Sequence, residues 1–269
     1  MENTTDTKLS NILYIPHGGG PLPLLGDEGH QAMVEFLKNI TSRLGQPAAI
    51  LVISAHWEEE IVTITGGETP PLIYDYSGFP AQAYDIKYPA DGNPELAQEI
   101  HTLLSKSGVD AKIDNNRGYD HGLFVPLKIL YPDANIPCVQ LSLLKNLSPK
   151  AHIKIGKALS ALRSKNILVI GSGFSFHNMS AFSQPQDTLD QKNIAFEQWL
   201  VETCTHNNLT DNERTDRLEN WINAPFARYC HPREEHLMPL HVCYGFCGSK
   251  AVLVFDDKVI GKKTSAFLW

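Results

Sequence analysis

The chain has no stretch approaching the roughly 20 consecutive apolar residues needed to cross a bilayer. Its opening, MENTTDTKLSNILYIPHGGG, also lacks the cationic start and long apolar core of a secretion signal. There is no basic excess: 23 Lys and Arg stand against 30 Asp and Glu, a net charge of −7, which argues against a nucleic-acid partner. There is no CxxC pair, and the five cysteines, Cys138, Cys204, Cys230, Cys243 and Cys247, all fall in the second half. An odd cysteine count without a signal reads as reduced thiols, so the expectation is a cytoplasmic protein with no membrane partner. Glycine and proline, 19 and 17 of 269 residues, sit near the ordinary background of about 12%. Collagen-like, low-complexity and disordered classes are thereby excluded. What is present is a 42% hydrophobic chain of 269 residues, long enough to bury a sizeable core.

Short Val- and Ile-rich runs alternate with longer helical patterns. Ile12–Ile15, Ala49–Ser54, Pro137–Leu141, Ile167–Ile170 and Ala251–Phe255 read as buried strands. Helices are expected over 30–44, 94–107, 149–164 and 190–204, the second and third opened by Asn93-Pro94 and Ser148-Pro149. Strands alternating with helices of this length predict an α/β fold, a mostly parallel central sheet flanked by helices. With no linker or repeat, residues 1–269 are expected to form one catalytic domain, 1–10 being a flexible tail. The stretch 66–92, rich in Pro, Gly and Tyr, reads as a long ordered loop, a kind of segment that often carries function.

Three of the 11 histidines follow predicted strands directly: His17 in PHGGG, His56 in SAHW and His177 in GSGFSFHN. Ligands of open parallel sheets bind outside the carboxyl ends of the strands, so one edge could gather all three. Tyr119-Asp120-His121-Gly122 precedes the apolar helical run Leu123–Leu130. In Cys230-His231-Pro232-Arg233-Glu234-Glu235-His236, Pro232 suits the first turn of a helix, with Glu234 and Glu235 expected as a solvated first turn. His30, His101, His152 and His206 lie in polar helical contexts and are expected at the surface, while His231 and His241 have no assigned role. Converging imidazoles suggest a divalent metal, and ligand type alone leaves iron and zinc both open. Cys243 and Cys247, one helical turn apart, read better as buried small apolar residues than as soft ligands.

The motifs PHGGGP, SAHW, GFP…AYDIKYPA, DHGLFVPLKILYPDANIPCVQLSL, GSGFSFHN and HPREEHLMPL appear in order from about residue 12 to 246. Together they resemble the class III extradiol ring-cleavage dioxygenases, and within them the 4,5-DOPA dioxygenase family. The resemblance implies a non-haem Fe(II) enzyme that opens catechol rings with O₂, Zn(II) also being found in isolated relatives. It implies His17, His56 and His236 as metal ligands, His177 as the acid–base residue and His121 as a second active-site histidine near oxygen. Relatives of the broader class use a carboxylate as third ligand, so Glu235 and His236 both stay open for that place, as does contact of His177 with the metal. The triple glycine after His17 departs from the HGSP of many members, which bears on the pocket floor. The chemistry suits the residue set. A catechol must lose protons to chelate a metal, and a histidine, with an ordinary pKa of about 6.5, can take one.

Three other readings compete. A three-histidine site with an open position also suits a zinc hydrolase. A serine esterase would use HGGG as an oxyanion motif, but GFSFH lacks the final glycine of GxSxG and HGGG follows the first strand rather than the third. A non-enzymatic binding protein of the same fold is the third, against which the retained histidine set argues. Tyr74, Tyr76, Phe79 and Tyr84 could line an aromatic pocket or pack the core. Arg117, Arg228 and Arg233 could meet a substrate carboxylate, although lone arginines usually face solvent.

Overall fold

The computed structural model describes residues 11–182 and 190–269; the tail expected over 1–10 lies outside the described residues. Its strands are β1 (Ile12–Pro16), β2 (Ala49–Glu59), β3 (Val62–Thr65), β4 (Ala111–Asp114), β5 (Cys138–Leu144), β6 (Ile167–Gly173), β7 (Val252–Val259) and β8 (Lys262–Leu268). The helices are α1 (Gln31–Leu44), α2 (Pro94–Lys106), α3 (His121–Leu130), α4 (Pro149–Ala158), α5 (Met179–Phe182), α6 (Gln191–Thr205), α7 (Asp211–Glu219), α8 (Ala227–Cys230) and α9 (Met238–Cys247).

The strands form one eight-stranded sheet in the order β4-β3-β5-β2-β6-β1-β8-β7. The four central strands, β5, β2, β6 and β1, are mutually parallel, as are β3 and β4. The β3–β5, β1–β8 and β7–β8 pairs are antiparallel. Both faces of the central strands are apolar because both are covered. Ile12, Tyr14, Leu51 and Ile53 face one core, and Leu13, Ile15, Ile50 and Val52 the other. The strand runs therefore read as continuous hydrophobic blocks rather than alternating ones. The expected fold class is the observed one.

Helix starts follow the sequence signals: Asn93 accepts from the Leu96 amide and Ser148 from the Ala151 amide, each with proline at the first turn. Some boundaries differ. α4 stops at Ala158, and a 3-10 turn over Ser160–Ser164 replaces its last expected turn. β3, β4 and β8 escaped sequence reading, the first two being only four residues long and β4 half polar. The helix expected from Pro232 begins only at Met238. His152, expected at the surface, is buried: it accepts from the Leu144 amide (3.1 Å) and faces the Ser148 carbonyl (2.7 Å). Among the described residues no helix is long and apolar enough to cross a membrane.

Candidate metal centre

His17 leaves the end of β1, and its amide donates to the Gly173 carbonyl at the end of neighbouring β6 (3.2 Å). Gly18 then turns the chain at φ 84°, where a side chain would also run into Pro23 and His30. His56 lies in β2 where the register against β5 shifts between Ile53 and Glu58, an irregularity that re-aims a side chain. His121 opens α3, and His177 follows β6 with its amide on the Cys230 carbonyl (2.9 Å). His236 comes from the turn before α9, its carbonyl held by the Phe174 amide (3.0 Å) and the Tyr14 hydroxyl (2.9 Å). That carbonyl fits because Gly173 has no side chain to strike it.

All five histidines line one cavity of about 310 Å³. One nitrogen each from His17, His56 and His236 lies within 4.8 Å of the others, and the Nε2 atoms of His17 and His56 are 2.9 Å apart. Two bare lone pairs cannot face each other so closely, so a proton or a cation belongs between them. Two nitrogens bound to one ion at about 2.1 Å stand about 3.0–3.4 Å apart, close to this contact.

The outward ring nitrogens are already assigned partners. Ser172 Oγ donates to the Gly122 carbonyl and so accepts from His17 Nδ1 (2.9 Å). Glu235 Oε1 accepts from Nδ1 of both His236 and His177, each at 3.0 Å. Asp75 Oδ1 accepts from His121 Nδ1 (2.8 Å) and from the His121 amide (3.0 Å). Each of these bonds leaves Nε2 as the free lone pair. His177 and His236 stack, centroids 3.5 Å apart and planes 19° off parallel.

Burial, followed by the neighbouring imidazoles, pushes His17 and His236 well below the usual histidine pKa. Burial and then His121 hold His56 down to about 3. These three rings are therefore neutral. Burial alone would raise the Glu235 and Asp75 carboxyls, but the hydrogen bonds from His177 and His121 outweigh it and leave both below the ordinary range. Three neutral imidazoles, with Ser172 behind His17 and Glu235 behind His236, form a donor set that fits a divalent cation.

Several expectations change. Glu235 is not a solvated first turn; its side chain is 13% exposed because two imidazoles use its carboxylate. His30, expected at the surface, is buried and accepts from the Gly19 amide (2.9 Å) while its Nδ1 meets Asp27 (2.6 Å). The Gly19 amide is thus unavailable as an oxyanion donor, and Ser175 Oγ is buried, accepting from the Ser265 amide. The serine-esterase arrangement is absent among the described residues. The three arginines are ion-paired: Arg117 with Asp120, Arg228 with Glu234, Arg233 with Glu58. Tyr76 and Phe79 line the cavity, whereas Tyr74 packs against Tyr76 and Phe124. His231 and His241 are buried away from that cavity's lining.

Sequence reading missed Asp75, Ser172 and the buried Ser54–Asp120–Gln140 network that carries His56 through the bond from its amide to Ser54 Oγ. Asp120 beside His121, and Ser172 within GSGFSFHN, were the available signals.

A family model described as the catalytic LigB subunit of aromatic ring-opening dioxygenase matches residues 12–266. The chain is 36% identical to a dioxygenase of Hapsidospora irregularis, over 99% of this chain and 87% of that protein. It is 36% identical to the 4,5-DOPA dioxygenase extradiol of Beta vulgaris, over 94% of this chain and 93% of that one. The crystal structure of an uncharacterized Escherichia coli K12 protein superposes with a TM-score of 0.78 at 26% identity, covering 96% of this chain and 99% of that one.

Proposed function

Because the chain belongs to the family of LigB catalytic subunits of aromatic ring-opening dioxygenases, and so is an oxygenase-type oxidoreductase, we propose that it cleaves a catechol ring with O₂ at the five-histidine cavity. In this reading residues 1–269 act as one catalytic domain and His17, His56 and His236 hold one cation, Fe(II) for turnover, with Zn(II) able to occupy the same place. The observation that carries it is that Ser172 and Glu235 engage Nδ1 of His17 and His236, leaving Nε2 for the cavity, while one nitrogen from each of His17, His56 and His236 lies within 4.8 Å of the others. Glu235 then serves as the orienting acid behind His236 rather than as the third ligand.

A cation held by His17, His56 and His236 would supply Lewis acidity that lowers the diol's pKa values and the redox chemistry that a reaction with O₂ requires. The protein's own groups do the rest. His177, its Nδ1 proton fixed on Glu235, offers Nε2 to take a proton from the diol and later return it. His121, its Nδ1 held by Asp75, lines the same cavity and in this reading serves as the second active-site histidine, hydrogen-bonding the reduced oxygen. Tyr76 and Phe79 offer aromatic surface to the ring. The five thiols are free and four of them buried, which supports a reducing, cytoplasmic setting, and ring cleavage itself would place the chain in aromatic breakdown.

The experiment is oxygen uptake by metal-stripped protein reloaded anaerobically with Fe(II) or Zn(II), using catechol, caffeate and DOPA while visible absorbance is followed. The expected result is iron-dependent uptake of one O₂ per ring opened, with a yellow product. Absence of uptake with either metal would contradict the proposal.

A further inference from the structure

The cavity walls beyond the histidines are apolar, and five separate segments supply them. Leu22 comes from the turn after the glycine run, Phe79 from the long loop and Phe174 from the end of β6. Met179 and Phe182 come from α5, and Ile260 from the β7–β8 hairpin. Among the described residues lining the cavity none is lysine or arginine. The hydroxyl of Tyr76, which could have met a polar tail, is committed to the Ala83 carbonyl (2.6 Å) and leaves its ring to the cavity.

The charges that stand close behind the histidines are acidic: Asp75 on His121 and Glu235 on His177 and His236. The nearby basic side chains are neutralised by other partners. Arg117 is paired with Asp120 and lies over Trp57 (4.7 Å), Arg233 with Glu58 and Glu235, and Lys262 with Asp190 (2.8 Å). Away from the three-histidine corner, a carboxylate on a substrate tail would lose its water here and find no lysine or arginine among the described lining residues to pair with.

Ile260 adds an independent observation. It and Gly261 form the two-residue loop between β7 and β8, at φ 50° and 74°. Positive φ at both central residues is the type I′ pattern, which favours Asn-Gly and penalises a β-branched side chain at the first place. Asparagine would serve the turn better, yet isoleucine is there, and its Cδ1 would lie 3.3 Å from a Cβ built on Gly19 at the cavity floor. Strain kept in a hairpin turn to bring an apolar side chain to a cavity marks a functional demand.

Resting on the ring-cleavage reading above, we propose that the cavity selects catechols whose ring substituent is uncharged and apolar, an alkyl or aryl group, and that Ile260 is a specificity-determining residue for that substituent. Each methylene of the tail buried against these walls strengthens binding about fourfold.

The test pairs catechols of matched shape on the iron-loaded enzyme: 4-propylcatechol against 3,4-dihydroxyphenylpropionate, 4-ethylcatechol against 3,4-dihydroxyphenylacetate, and dopamine as the cationic member. The same compounds are titrated calorimetrically into zinc-loaded protein without oxygen, which reads binding apart from turnover. The expected result is a kcat/KM and a Kd at least about tenfold in favour of the alkyl member of each pair. Ile260→Asn should relieve the turn and leave thermal stability equal or higher. It should lower kcat/KM for 4-propylcatechol about tenfold more than it lowers that for unsubstituted catechol. A preference for the carboxylated compounds or dopamine overturns this inference alone, as does an Ile260→Asn variant with an unchanged alkyl preference. Failure of every catechol to bind or react overturns both this inference and the ring-cleavage reading.

Discussion

Ser172 acts twice through one oxygen, donating to the Gly122 carbonyl and accepting from His17 Nδ1, so a single hydroxyl fixes which nitrogen of His17 faces the cavity. Glu235 does the equivalent for His236 and His177 together. Partners of this kind are commonly worth 10–100-fold in metal affinity. Ser172→Ala and Glu235→Gln are therefore expected to weaken Fe(II) or Zn(II) binding about 10–100-fold without unfolding the protein, as read by chelator competition and circular dichroism. An unchanged affinity in both would remove the orienting role. His17, His56 and His177 were legible because each follows a predicted strand, where the chain alone predicts a shared edge, whereas the roles of His121 and His236 came with the family resemblance. Asp75 and Ser172 were not legible. Their roles depend on a loop and a strand end meeting His121 and His17 across 46 and 155 residues of chain.

At the scale of elements, α4 and α9 pack with backbone against backbone. A Cβ on Gly156 would come within 2.8 Å of Gly245 Cα, and one on Gly245 within 3.0 Å of Gly156 Cα. α9 is also the helix whose preceding turn delivers His236, so its seat on α4 and β6 sets the height of that imidazole. Gly245→Ala is expected to cost about 1–3 kcal/mol of stability, measured by urea unfolding, because neither helix can give way without moving the other. No loss would mean the pair is looser than its geometry implies. The central strands and the capped helices α2 and α4 were readable from apolar blocks and Asn-Pro or Ser-Pro starts. The start of α9 was not, since tertiary demand overrode the Pro232 signal. Arg233 is drawn to Glu58, Glu234 to Arg228 and Glu235 to two imidazoles, and residues 232–237 turn rather than coil to satisfy them. β7 and β8 form an edge hairpin in which β8 carries two lysines at its start, a pattern too polar to stand out as a strand.

At the scale of the whole molecule, burial sets how stability responds to pH. Burial holds His152 down to about 4 and His231 to about 3, and also lowers His30 and His241. Unfolded histidines titrate near 6.5, so the unfolded chain binds more protons than the folded one between that pH and about 4. This contribution is fully present above about pH 6.5 and is lost as pH falls toward 4. Glu197, raised by burial to about 7, works in the opposite sense, favouring the fold below about pH 4.5 and losing that contribution as pH rises to 7. Four histidines against one glutamate predict net loss on acidification. Urea unfolding at pH 7 and pH 4.5 should show it, and His152→Gln should flatten the difference by up to about 3 kcal/mol. An unaltered slope in that variant would contradict the buried neutral state of His152.

The histidine centre itself is tested most directly by metal stoichiometry, measured on purified protein after loading with Fe(II) or Zn(II). One ion per chain is expected in the unaltered protein and in His177→Ala, the latter having lost most of its turnover. Little or none is expected in His17→Ala, His56→Ala and His236→Ala. Full occupancy in the variants lacking His17 and His56 would contradict the assignment of the site.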